Sequence, residues 1–306
     1  MDFELNENQA IVQDAILGIL EPYRPLPPGA SAFFLDAPEL EHALAESGFF
    51  EIAKTEGYGA LDAALLAFEA ARLPVRLEVT ASALVAPQIT SDALARPIAL
   101  ATDRSGVIRN LPGAKTLLWL ENGVAKAAPL DGQQIEVLES VLAYPFGRLV
   151  DPSSLAAKTL GEGSGKALAT WWRVGLAVEA AGLAKAALDA TVEYVTIRTQ
   201  FNRPLGSFQA VQHRLATCAQ IVSAMKWLAF RAAESGTAEH AALAALYAQD
   251  QMRQVINDLH QFTGAIGLTL EYPLHLWTYR LKALQGELGG ILGQAEAMVD
   301  VFGDAA

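Results

Sequence analysis

Proline placement divides this chain into two unlike halves. Of its fourteen prolines, eleven fall in residues 1–150, and after Pro152 only Pro204 and Pro273 remain. Proline breaks a helix because it has no amide donor and its ring clashes with the preceding turn. The C-terminal half is therefore free to build long helices, whereas the N-terminal half must be assembled from short pieces.

The apolar periodicity follows that division. Residues 6–20 read as an amphipathic helix with Ile11, Val12, Ala15, Ile16 and Ile19 on one face. Asn6 and Gln9 have the spacing of a capping box. The segment "YRPLPPGAS" is a loop, and further short helices fit 38–48, 60–73 and 77–86. Over 96–150 the runs "RPIALATD", "GVIRN", "KTLLWL" and "VAKAAPL" are short and divided by turn residues, with Asn122-Gly123 as a hairpin signal. From about residue 164 the period is helical. The spacing predicts helices over 165–199, 207–234, 238–263, 273–285 and 290–302, with Ser207 as an N-cap and Gly236 as a stop. Phe208, Val211, Leu215, Cys218, Val222 and Met225 recur three and four apart, as a bundle seam requires. The fold class is mainly α with a small β middle domain. An N-terminal helical domain covers 1–92, a short β domain 93–160 and an antiparallel helical bundle 161–306.

Composition excludes several functions. The chain is 52% hydrophobic and 18% charged, with a formal net charge of −12. No basic stripe marks a nucleic-acid surface. No run of eighteen uncharged apolar residues marks a membrane span. "MDFELNENQ" lacks the basic-then-apolar pattern of a secretion signal. With Cys218 as its one cysteine, a cytoplasmic protein without disulfides is expected. His240, His260, His275 and Cys218 lack metal-ligand spacing, so no metal is assigned. The surplus of apolar residues points to wide subunit interfaces. An acidic chain binds an anion only through a local cluster of donors, and Arg198 with Arg203 is one.

Two motifs resemble the acyl-CoA dehydrogenase family. "RTQFNRPLGSFQAVQHRLA" (198–216) is similar to that family's Arg-x-x-Phe-Gly turn followed by a helix-opening Gln. "LHQFTGAIGLTLEYPLHLWTYR" (259–280) resembles its Gln-x-x-Gly-Gly-x-Gly and Thr-Glu-Tyr-Pro stretch. The opening "MDFELNENQ" is also similar. The resemblance implies FAD as cofactor. It places Arg198 at the pyrophosphate, with Gln200 beside it, Phe201 against the cofactor and Gln209 opening the next helix. Gln261, Gly264 and Ala265, which replaces the second glycine, would line the ADP moiety. In the family these groups often reach a cofactor held by a neighbouring subunit. The residue types agree, since a guanidinium offers paired donors to a diphosphate. Read alone, Arg198 also fits as a cation at a helix C-terminus.

The resemblance is incomplete. The family's reaction, α,β-dehydrogenation of an acyl-CoA, needs a glutamate within reach of the α-carbon. One family position falls here near Gly289 in "LQGELGGILGQ", where Glu287 is the nearest carboxylate; the other falls on Trp172, before Arg173. Trp171 and Trp172 either fill an acyl entry or are core aromatics. The family's flavin-ring strands, Tyr-x-x-Thr-Glu and Trp-Ile-Thr, have no counterpart. The pattern therefore resembles the degenerate subunit of heteromeric α2β2 steroid-CoA dehydrogenases. It implies a homologous partner subunit bearing the glutamate, an acyl-CoA substrate with a bulky or steroid side chain, and an electron-transfer flavoprotein or similar acceptor. Two alternatives remain: a self-sufficient dehydrogenase using Glu287, and a non-enzymatic scaffold.

Overall fold

A computed structural model describes residues 4–27 and 30–303. Met1–Phe3 of the opening motif and Pro28-Gly29 of the first loop lie outside the described residues. Helix α1 (Glu7–Leu20) begins on the reciprocal cap expected of Asn6 and Gln9: the Gln9 amide donates to Asn6 Oδ1 at 2.9 Å and the Asn6 amide to Gln9 Oε1 at 3.0 Å. Helices α2 (Pro38–Glu46) and α3 (Ala60–Ala71) follow, and α3 is buried from Asp62 to Ala71. The helix expected over 77–86 is instead a π-helical turn, Thr80–Val85, followed by a 3-10 turn, Ala86–Gln88. The Glu78 carboxylate causes the change. It accepts from the Ala81 amide at 2.7 Å and the Ser82 amide at 3.3 Å, fixing the first turn, and Pro87 stops its continuation.

Two small sheets follow. Strand β1 (Ile98–Ala101) runs parallel to β3 (Thr116–Glu121), which pairs antiparallel with β4 (Val124–Pro129) and through it with β7 (Lys158–Thr159). The β3–β4 hairpin turns on Asn122 and Gly123, both left-handed (φ 52° and 78°), as a two-residue turn of this kind requires. The second sheet has the order β2-β6-β5, from β2 (Ile108–Arg109), β5 (Ile135–Leu138) and β6 (Phe146–Leu149).

The rest is a helical bundle of α4 (Ser164–Ile197), α5 (Gln209–Ser235), α6 (Ala238–Thr263), α7 (Leu274–Leu284) and α8 (Gly290–Gly303). Helix α4 packs against α3, α5, α6 and α7, so Val174–Ala184 are buried on every side. At 1.5 Å per residue it is about 50 Å long. Glycine permits two of its close approaches. A Cβ on Gly165 would lie 2.1 Å from the Gly123 carbonyl of the hairpin, and one on Gly182 would lie 2.4 Å from the Phe68 carbonyl of α3.

Ser207 is not the cap of α5. That helix starts at Gln209 after Phe208, and the Ser207 hydroxyl donates to the Pro204 carbonyl at 2.7 Å. The Leu205 amide donates to the Arg198 carbonyl at 2.8 Å, closing a tight turn that takes up the residues before the helix. Gly236 ends α5 with φ 63°. Among the described residues no helix is long and apolar enough to cross a membrane.

The α3–α4 contact is testable. Gly182→Ala drives a methyl group into the Phe68 carbonyl, and the expected loss is about 1–3 kcal/mol of unfolding free energy in urea titration.

Candidate functional site

Chain direction gathers both sequence motifs at one end of the bundle. Helices α5 and α6 are antiparallel, since Arg214 near the start of α5 pairs with Asp258 near the end of α6. The turn after α6 folds back on α4, where the Tyr272 hydroxyl donates to the Ala190 carbonyl at 2.6 Å and the Tyr194 and Tyr272 rings meet edge-on at 5.3 Å. The end of α4, the start of α5 and the end of α6 therefore share one surface. Arg198, Gln200, Phe201, Gln209, Gln261, Gly264 and Ala265 all lie there and all are exposed.

The 198–209 corner is internally bonded although exposed. Thr199 and Gln200 pair with Pro204 and Arg203 across the turn. Phe201 and Asn202 both adopt left-handed backbone (φ 53° and 61°), and Phe201 is 85% exposed. Arg203 lies 3.8 Å above the Phe208 ring. Only the backbone of Arg198 bonds to α4, its amide donating to the Tyr194 carbonyl at 2.8 Å; its guanidinium makes no ion pair within the described residues. Nearby His260 bonds Thr278 Oγ1 at 2.9 Å through Nε2. Burial, then the Lys282 charge, lowers its pKa to about 4.

A second polar cluster occupies the cleft between the N-terminal helices, the β region and the bundle. Arg109 of β2 donates to both carboxylate oxygens of Glu179 on α4, at 3.0 and 3.2 Å, and through Nε to Glu287. The Trp172 indole donates to the other Glu287 oxygen at 2.9 Å. The Tyr144 hydroxyl donates to Glu179, and its ring lies 4.6 Å from the guanidinium carbon. Burial opposes charge on Arg109, but Glu179 and Glu287 outweigh it and hold the guanidinium well above its usual pKa. Burial, reinforced by Glu179, pushes the Tyr144 phenol well above its usual value. Glu78 stands alongside, accepting from the Ile98 amide at 3.1 Å; burial raises its pKa.

Glu287, the carboxylate nearest the expected base position, is held inside this cluster. Its side chain is only 13% exposed and is bound on both oxygens. The two positions at which the family places its base, near Gly289 and at Trp172, converge here. Trp172 belongs to the cleft, whereas Trp171 packs against Gly236 at the end of α5. Arg109, Tyr144 and Glu179 were missed from the sequence. The signal was Glu179 itself, a lone acid inside the apolar run 174–184. The void beside the cluster measures about 20 Å³. That is room for a water molecule, far below the 300 Å³ or so of a small-molecule site. Among the described residues no group of metal-ligating side chains occurs.

Comparisons with known proteins agree with both motifs. Residues 165–291 match the family model described as acyl-CoA dehydrogenase, C-terminal domain. That stretch of the bundle is similar to the C-terminal domain of acyl-CoA dehydrogenases. It is 33% identical over 196 residues to acyl-CoA dehydrogenase FadE34 of Mycobacterium tuberculosis, covering 60% of this chain and 27% of that protein. Across the first curated relatives, the matched stretch spans 27–52% of their length. The fold matches a variant of the Tcur3481-Tcur3483 steroid ACAD (TM-score 0.78, 23% identity, 99% of both chains). It also matches the ChsE4-ChsE5 complex of Mycobacterium tuberculosis (TM-score 0.75, 18% identity, 99% of both chains).

FAD is the cofactor of this family, and its two ends fare differently here. The bundle end fits the diphosphate side: Arg198 has a free guanidinium, and Gly264 (φ 64°, ψ −146°) leaves open space where a Cβ would stand. At its waist the cleft has no room for a flavin ring, because the Arg109 cluster occupies it.

His260 gives a pH-dependent expectation. The unfolded ring titrates near 6.5 and the folded ring near 4, so between these values the unfolded state binds the extra proton. Stability should fall as the pH is lowered from about 6.5 towards 4, by up to about 1.4 kcal/mol per unit, and less for a ring partly open to water. Urea midpoints at several pH values, compared with His260→Gln, should show the steeper decline in the unsubstituted chain.

Proposed function

We propose that this chain is the non-base subunit of a flavin-dependent acyl-CoA dehydrogenase, completing an FAD site shared with a homologous partner. One observation carries the reading. Glu287, the carboxylate at the base locus, is locked to Arg109 and Trp172 beside a 20 Å³ void. A base must come within hydrogen-bond reach of the proton it removes. In this reading a carboxylate already bonded on both oxygens is not free to take the α-proton, and the glutamate for this reaction comes from the partner.

The bundle end has the opposite character. Arg198, Gln200, Phe201, Gln209 and Gln261 face outward, and the apolar residues beside them, Ile197 and Leu268, are exposed too. In this reading Arg198 holds the diphosphate of the partner's FAD, Phe201 packs on it, and Gly264 lets the backbone come close. The bound FAD supplies the hydride acceptor. Helix α8 exposes Leu292, Val299 and Phe302, an apolar stripe consistent with an obligate assembly. The steroid enzymes among the structural neighbours favour a bulky CoA ester as substrate and an α2β2 assembly, with electrons leaving to an electron-transfer flavoprotein or similar acceptor. That step rests on analogy between folds.

Co-expression with the base-bearing homologue tests the reading. The complex should carry FAD and oxidise acyl-CoA. Arg198→Ala should lower its FAD content while the two chains still co-purify. Glu287→Gln should leave turnover within about twofold, against the 10²–10⁴-fold loss that removal of a working base produces. A chain that alone binds FAD, turns over acyl-CoA and fails as Glu287→Gln would overturn the proposal. A complex without flavin absorbance would favour a scaffold.

A further inference from the structure

The cleft widens on both sides of the Arg109 cluster. Towards the N-terminal helices it opens into a cavity of about 270 Å³ edged by Asp36, Arg76, Glu78 and Asn110. Towards α8 it opens into one of about 260 Å³ edged by Asp103, Phe146, Trp172 and Leu288. The 20 Å³ void shares Glu78 and Asn110 with the first cavity, and Arg109, Trp172 and Glu287 with the second. The Arg109 cluster thus lies between the two cavities, where any passage joining them has its waist.

We propose that Arg109 is the gate of this passage, a specificity-determining residue that keeps acyl ligands out of this chain's own cleft. The proposal rests on the subunit reading above, in which the cleft is this fold's acyl site. The gate is held from three directions: both Glu179 oxygens, the Glu287 carboxylate and the Tyr144 ring face. Withdrawing the guanidinium would strand two largely buried carboxylates without a counter-charge, which is far costlier than losing a neutral contact. An alkyl chain carries no cation to replace it. A side chain that merely filled the waist would yield to a competing apolar ligand of similar shape, whereas a bonded guanidinium does not. The ligand is directed to the partner's site because this one is closed electrostatically.

Access of a thiol reagent measures the gate without FAD, acyl-CoA or turnover, so its outcome is separate from that of the subunit reading. Ala81 lines the waist and is buried, so Ala81→Cys places a small thiol there. Native Cys218, fully buried between α5 and α6, reports general loosening in the same molecule. Methyl methanethiosulfonate labelling, read by peptide mass, should be as slow at position 81 as at position 218 while Arg109 is present. Two further variants carry equal charge: Arg109→Ala with Glu287→Gln, and Arg109→Met with Glu287→Gln. Both should speed labelling at 81 roughly tenfold or more over the chain that keeps Arg109, with Cys218 unchanged. Rapid labelling with Arg109 intact overturns the proposal without requiring either double variant to fold. So does slow labelling retained in the Arg109→Met variant, or a rise at Cys218 in step with position 81.

Discussion

A guanidinium removed from water must find its counter-charges within the protein, and Arg109 finds them on two distant elements. Its partners are Glu179, midway along the most enclosed helix, and Glu287, in the turn before α8. Glu179 in turn has Arg109 and Tyr144 as its hydrogen-bond donors. Strand β2 is only two residues long, so pairing with β6 alone would hold it weakly. The ion cluster fixes where the β region sits on the bundle. Buried ion pairs add little net stability but penalise arrangements that leave one charge alone. The positions of β2, Tyr144 and the 286–290 turn follow from that penalty.

The two ends of the cofactor path therefore differ in kind. The bundle end presents unpaired donors, an exposed aromatic ring and backbone conformations suited to close approach. The cleft presents donors and acceptors that already satisfy each other. Binding needs groups whose bonding capacity is still open, and here that capacity lies almost entirely on the outer surface. Such a chain completes a site more readily than it contains one.

Much of this was legible in the sequence. The Asn6–Gln9 cap, the Asn122-Gly123 turn, the Gly236 stop and the extent of α6 depend on local chemistry and were read directly. Both motifs could be picked out because each is a contiguous stretch. The π-helical turn at 80–85 was not, because its cause is the Glu78 side chain, which also bonds β1 across the fold. Ser207 looked like a cap by composition, yet the Arg198–Leu205 bond uses the preceding residues differently. The Arg109 cluster was least legible. Its members are about 35 to 180 positions apart, and only the lone acid at Glu179 hinted at a buried partner.

The tight turn at Phe201 and Asn202 bears on time as well as geometry. Two successive non-glycine residues hold left-handed backbone there, braced by the pairing of Gln200 with Arg203 and by Arg203 over Phe208. A loop already fixed in shape surrenders little freedom on meeting a partner. Savings of that kind lengthen residence far more than they hasten encounter. A partner docking on this corner would meet a surface already shaped for contact.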